Sequence, residues 1–340
     1  MTGAPIDFTL LPDLAQRPLG GAVIWANDES FAEKENLIRP EAATFTAATF
    51  GHKGQVYDGW ETRRRRRPGG AAPGPEDCDE AVVRLGVPGV VNGVVVDTAW
   101  FKGNYPPEIS VEGLVVDGYP AAAEIAARTD WFTLVERAKV NGDTENPFPV
   151  ESARRVTHVR LRMYPDGGVA RLRVHGTAKP DLRWLDSGPF DLAALENGGR
   201  VVDCSNRFYS HPQNLLLPGR ARVMGDGWET ARRRDGGNDW VRVLLAGESV
   251  PGLVEIDTSY FLSNSPGAAR LTGFRADGAE VELLPRTDLL PDTRHRFAIA
   301  AAEPVTEIRL DVYPDGGFAR LRLFGTLTAA ARDKLRAEQE

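Results

Sequence analysis

Five words of this chain are written twice, in the same order. Asp58-Gly59-Trp60-Glu61-Thr62 returns as Asp226-Gly227-Trp228-Glu229-Thr230. Asp97-Thr98-Ala99-Trp100-Phe101 with Asn104 returns as Asp257-Thr258-Ser259-Tyr260-Phe261 with Asn264. Thr157 to Thr177 and Thr306 to Thr326 share 14 of 21 residues, including Tyr-Pro-Asp-Gly-Gly. Arg128-Thr129-Asp130 matches Arg286-Thr287-Asp288, and Asp13-Leu14-Ala15 matches Asp191-Leu192-Ala193. A chain repeated on this scale must fold as two copies of one unit. The sequence predicts repeats over 13–177 and 191–326, a linker over 178–190 and a polar tail over 327–340.

The offset between matching words falls from 178 to 168 to 160 to 149 along the chain. The first repeat therefore carries insertions. One is expected in the Pro/Gly-rich stretch 68–75, the other between Asp130 and Thr157, around 141–147.

Within each repeat the pattern is β. Arg160 to Tyr164 and Ala170 to Val174 alternate polar and apolar residues, and Pro165-Asp166-Gly167-Gly168 between them reads as the turn of a hairpin. Val82 to Leu85 and Val94 to Val96 read as further strands. Short strands separated by turn residues predict an all-β fold, a sandwich or jelly roll in each repeat. A hydrophobic share of 42% supplies enough apolar material for two cores.

Composition excludes several functions. The net charge of −7 argues against nucleic acid and anionic membranes. No apolar run approaches a membrane span, and the N-terminus lacks the features of a secretory signal. Two cysteines, Cys78 and Cys204, build no disulfide framework, so a reduced, cytoplasmic setting is expected. Phosphate-loop and nucleophile-elbow motifs are absent. The five histidines have no metal-ligand spacing, whereas a divalent cation on oxygen ligands stays open.

Chemistry concentrates in the repeated words. In an extended segment Asp58, Trp60 and Thr62 share one face, and Glu61 and Arg63 the other. Trp60 and Trp228 read equally as core or as ligand contacts. Arg63 and Arg64 suit bidentate recognition of a carboxylate, and Arg65 to Arg67 read as a solvated loop. Asp97 and Asp257 end hydrophobic strands, where a carboxylate either reaches a ligand or caps a loop. Asn104 offers an amide, with Lys102 beside it; the second copy has Leu262 in place of Lys102. The Tyr-Pro-Asp-Gly-Gly turn reads as structural.

Four stretches carry a family resemblance: GQVYDGWETRRRR (54–66), VVDTAWFKGNYP (95–106), LRMYPDGGVARLRVHG (161–176) and MGDGWETARRR (224–234). They resemble the allantoicase family. The resemblance implies a tandem pair of jelly rolls related to galactose-binding modules, assembled as a homo-oligomer. It also implies hydrolysis of allantoate to ureidoglycolate and urea in purine breakdown. That chemistry asks for a cation to hold the substrate carboxylate, an amide to grip a ureido group and a carboxyl to move protons. Glu61, Asp97 and Asp58 are the catalytic candidates. Arg63, Arg64, Asn104, Trp60 and Lys102 are the substrate contacts. Asp226, Glu229, Arg232, Asp257 and Asn264 are the second-repeat equivalents. Where the family pattern shows His-Asp-Trp, this chain reads Cys78-Asp79-Glu80 and Asn238-Asp239-Trp240. The other readings are a non-catalytic jelly roll that binds a carbohydrate or small ligand, and a hydrolase of a different ureido acid.

Overall fold

A computed structural model describes residues 7–185, 188–300 and 303–338. The chain divides into two compact units, Met1–Lys179 and Pro180–Glu340, both built from strands.

In the first unit the 19-residue strand Asp79–Asp97 is the spine. Its first half lies between Ala22–Ala26 and Arg155–Tyr164, and Glu108–Leu114 and Phe132–Lys139 extend that layer. Its second half pairs with Arg171–Ala178 and Glu145–Pro149. The register slips between Arg84 and Gly89, so one strand serves two layers. The bend needs glycine: a Cβ on Gly89 would sit 2.5 Å from the Thr177 carbonyl oxygen. Alternating valine and leucine residues fill the core. Val83, Val94, Val96, Ile109, Leu161 and Leu172 are fully buried, each worth about 1.5–3 kcal/mol relative to exposure.

The second unit repeats the plan around Asp239–Asp257, with Arg200–Cys204 and Val305–Tyr313 on its first half and Arg320–Leu327 and Arg294–Ala298 on its second. The fold is thus all-β, a tandem pair of jelly-roll sandwiches.

Three details depart from the sequence reading. The Tyr-Pro-Asp-Gly-Gly segment is not the turn of a hairpin, because Arg155–Tyr164 and Arg171–Ala178 pair with opposite halves of the spine strand and not with each other. Alternation reports a buried face but not which strand lies alongside. The segment crosses between the two layers instead, and its Gly168–Val169 pairs with Trp60–Glu61.

The second insertion also lies elsewhere. Glu108–Leu114 and Ala268–Phe274 keep the offset of 160, while Lys139 and Asp288 take equivalent ladder positions at an offset of 149. The extra residues therefore fall within 115–131, which include the helix Ala122–Ala126. Arg137, not Arg128, is the counterpart of Arg286. Their guanidinium groups stack 4.1 and 4.0 Å from the ring centres of Tyr164 and Tyr313. Arg128 merely pairs with Asp130 on the surface, where a short chance match has nothing to align it.

Residues 178–190 hold the short helix Leu182–Leu185, whose Leu185 packs with Leu327 and Ala331. The C-terminal stretch forms the helix Ala329–Ala337, capped by the Thr328 hydroxyl on the Ala331 amide.

Candidate active site

Three repeated words meet at one place in the first unit. The two-residue strand Trp60–Glu61 alternates as an extended segment must: Trp60 and Thr62 are buried, while Glu61 and Arg63 face outward. The Thr62 amide donates to the Gly167 carbonyl at 3.0 Å, and the Gly167 amide donates back to the Thr62 hydroxyl at 3.2 Å. Next to it the Gly168 amide donates to the Asn104 carbonyl at 2.7 Å. Gly168 has no room for a side chain, since a Cβ would lie 2.1 Å from the Phe101 ring. The crossing thus locks Glu61 and Asn104 into register, and the Asn104 amide donates to Glu61 Oε1 at 2.8 Å.

The loop that delivers Asn104 is held under backbone strain. Trp100 has φ of 72°, and its counterpart Tyr260 has 71°. Carboxylates of Asp143 and Asp292 accept the two strained amides, at 2.7 and 2.8 Å. Left-handed geometry at a bulky residue costs free energy and persists only where the surroundings impose it. The recurring Asp-Thr-x-aromatic-Phe word marked this loop, but its strain was not legible in the letters.

The candidate residues take distinct positions. Glu61 is half-buried, with Asn104 as its only side-chain partner among the described residues. Burial pushes its carboxyl above the usual carboxylate value, only partly offset by the Asn104 hydrogen bond. Asp58 is saturated. It accepts from Arg171 at 2.9 Å, from the Thr44 amide at 3.0 Å and from Arg39 at 3.2 Å. Burial would raise it, but Arg171, the Thr44 amide and Arg39 outweigh burial and hold it below its usual value.

Asp97 caps its own loop, accepting the Ala99 amide at 2.8 Å. Asp257 does the same for the amide and hydroxyl of Ser259, at 2.9 and 2.5 Å. Lys102 is exposed and lies 3.6 Å from Asp143. Trp60 is fully buried, with its indole N–H given to the Asp28 carbonyl at 2.8 Å, so the substrate contact expected of it does not fit its position. A core indole supplies apolar area and needs one acceptor, which is what it has.

The arginines divide in the same way. Arg63 pairs with the nearly buried Asp28 at 2.5 Å. Arg65, read from sequence as solvated, is anchored: it pairs with buried Asp79, and its amide donates to Asp166 at 2.8 Å. Arg64 is exposed and has no hydrogen bond or ion pair among the described residues. Its counterpart Arg232 is in the same state. Arg63, by contrast, is replaced by Ala231. Asp28 was missed because it lies outside the repeated words.

The second unit rebuilds the frame with a less polar surround. Asn264 donates to Glu229 at 2.8 Å and also approaches the Met224 sulfur at 3.3 Å. Leu262 is exposed where Lys102 stands in the first unit. Asp226 pairs with Arg222 at 2.9 Å, and Arg320 donates to the Asp226 carbonyl at 2.7 Å. An acidic trio with the spacing of a cation site, Glu29, Glu33 and Glu35, is held by Lys34 and Lys53.

Comparison with known proteins bears on this arrangement. The allantoicase repeat model matches residues 12–179 and 190–328. A probable allantoicase from Nocardia farcinica is 68% identical over 95% of this chain and 97% of its own length. An allantoicase from Dictyostelium discoideum is 37% identical over 94% and 88%. The crystal structure of a Saccharomyces cerevisiae allantoicase superposes with a TM-score of 0.80 at 33% identity, covering 92% of both chains. With both repeats matched and such relatives aligned almost end to end, the chain belongs to the allantoicase family.

Proposed function

We propose that this protein hydrolyses allantoate to ureidoglycolate and urea, and that Glu61 of the first repeat carries the proton. The observation that supports this most is the Glu61–Asn104 pair. It combines a half-buried carboxyl displaced upward and one amide partner, at the junction of three repeated words.

Allantoate carries a carboxylate and two ureido groups on one carbon. Protonated Glu61 gives its proton to the nitrogen of one ureido group. The C–N bond then breaks, with the lone pair of the other ureido nitrogen filling the vacancy at carbon, and urea leaves. Water adds to that carbon and returns a proton to the Glu61 carboxylate. One water is consumed and the acid is restored. Such proton transfer contributes roughly 10²–10⁴-fold. Asn104 grips a ureido group through its side-chain carbonyl oxygen, which has no partner among the described residues. Arg64, exposed and uncommitted, takes the substrate carboxylate. Lys102 adds positive charge at the rim, and Arg63 does so less because Asp28 holds it.

Asp97 and Asp58 serve as positioning residues, the first capping the Asn104 loop and the second neutralising Arg171. Asp226, Glu229, Arg232, Asp257 and Asn264 then keep the same frame in the second repeat, with Met224, Leu262 and Ala231 weakening its polar lining. The proposal includes a cytoplasmic, homo-oligomeric protein. Unpaired Cys78 and Cys204 support the first part, and exposed Phe208, Val223 and Leu262 the second. Incubating the purified protein with allantoate tests the reading: urea and ureidoglycolate should appear in equal amounts, and absence of urea would overturn it.

A further inference from the structure

The segment 115–131, peculiar to the first repeat, buries Ile125 against Val82, Leu114 and Val116, with Ile24 and Trp131 packed alongside. It leaves a cavity of about 60 Å³ lined by eight residues, Ile24, Arg84, Tyr119, Pro120, Ile125 and His158 among them. Two of the lining side chains, His158 and Arg84, carry hydrogen-bonding capacity with no partner among the described residues. His158 is 3% exposed, and its Nε2 is buried without a partner. Arg84 sits opposite His158 in the strand ladder, and its side chain has no hydrogen bond or ion pair among the described residues.

The state of the imidazole follows from its neighbour. The Thr157 hydroxyl lies 3.1 Å from the Leu114 carbonyl, to which it donates, and accepts the Val116 amide at 2.9 Å. Its single proton is thereby committed, so toward His158 Nδ1, 2.9 Å away, it offers a lone pair. With that proton on the Leu114 carbonyl, Nδ1 carries the ring proton, and the buried, unpartnered Nε2 of this cavity-lining residue keeps a lone pair. Burial, then the charge of Arg84, holds this histidine down at about 4, which keeps the ring neutral near pH 7.

A cation and a buried lone pair side by side ask for a ligand with negative charge and one hydroxyl proton. We propose that this cavity is a binding site for a small hydroxy-carboxylate of the class of glycolate, its carboxylate on Arg84 and its hydroxyl donating to His158 Nε2. The size agrees. At roughly 10–15 Å³ of such volume per water molecule, the space takes about four to six non-hydrogen atoms. The second repeat lacks the site altogether, since Leu244 and Glu307 occupy the two ladder positions and Glu307 is paired with Arg242. The site shares no residue with the Glu61–Asn104 pair, so its test is independent of the catalytic proposal.

The full-length protein, labelled with ¹⁵N-histidine, is titrated with glycolate at pH 7.5 and followed by NMR. Before ligand, the His158 Nε2 signal should be of the unprotonated, pyridine type. Glycolate should shift it saturably, while acetate, the same anion without the hydroxyl, should bind at least tenfold more weakly. Arg84→Leu, which installs the second repeat's residue, should abolish the shift and leave urea release from allantoate unchanged. Arg84→Gln should do the same if the leucine variant folds poorly. A protonated Nε2, no saturable shift, equal binding of acetate, or binding that survives loss of Arg84 would each overturn the proposal.

Discussion

Asp58 and Glu61 stand three residues apart in one repeated word and end in opposite electrostatic settings. Asp58 faces Arg171, whose side chain is 1% exposed, and is held below its usual value. Its contribution to stability is therefore fully present above about pH 4 and is lost as pH falls through the lowered folded value. Asp58→Asn should cost about 1–3 kcal/mol by removing the charged acceptor from Arg171, which keeps its backbone carbonyl partners, read as a lower denaturation midpoint in guanidinium chloride. Glu61 pairs with no cation among the described residues, and burial moves it the other way. If it acts first as an acid, turnover falls as pH rises through its value. Asn104→Leu removes the one interaction that favours the carboxylate, so that fall should move to higher pH in the pH–rate profile. An unmoved or acid-shifted limb would contradict the pairing.

Elements explain why the words recur. The crossing at Gly167–Val169 binds Thr62, fixes the Asn104 carbonyl and packs on Phe101, so it holds the Glu61–Asn104 pair in place. Gly168→Ala should cost about 1–3 kcal/mol through overpacking against Phe101 and lower turnover with it. A thermal melt and a urea assay on the same preparation check both effects. The strands themselves were legible because Val-rich alternation reports a half-buried surface. Their partners were not, because alternation in Arg160–Tyr164 and Ala170–Val174 says nothing about which layer each strand joins. The Arg128 triplet misled for a related reason. Three matching letters carry no register, whereas the stacking of Arg137 and Arg286 on equivalent tyrosines does.

At the scale of the molecule, duplication supplies two frames, and divergence gives them different polar surrounds. The repeat, the β class and the acids at the junction could be read from the letters. Burial could not: Trp60 and Glu61 are neighbours in sequence, yet one is core and the other faces outward with a displaced carboxyl. Nor could the letters show that Arg65 is spent on Asp79 while Arg64 is exposed with no ion pair among the described residues. Whether polar lining decides which repeat works is testable, since Glu229→Gln removes the second copy's carboxylate charge and leaves the first intact. The most direct measurement compares urea release from allantoate by Glu61→Gln and Glu229→Gln, each checked for an unchanged melting temperature. A loss of about 10²-fold or more in kcat for Glu61→Gln, with near-normal kcat for Glu229→Gln, is the predicted result. Near-normal turnover by a folded Glu61→Gln protein would contradict the assignment of the proton carrier.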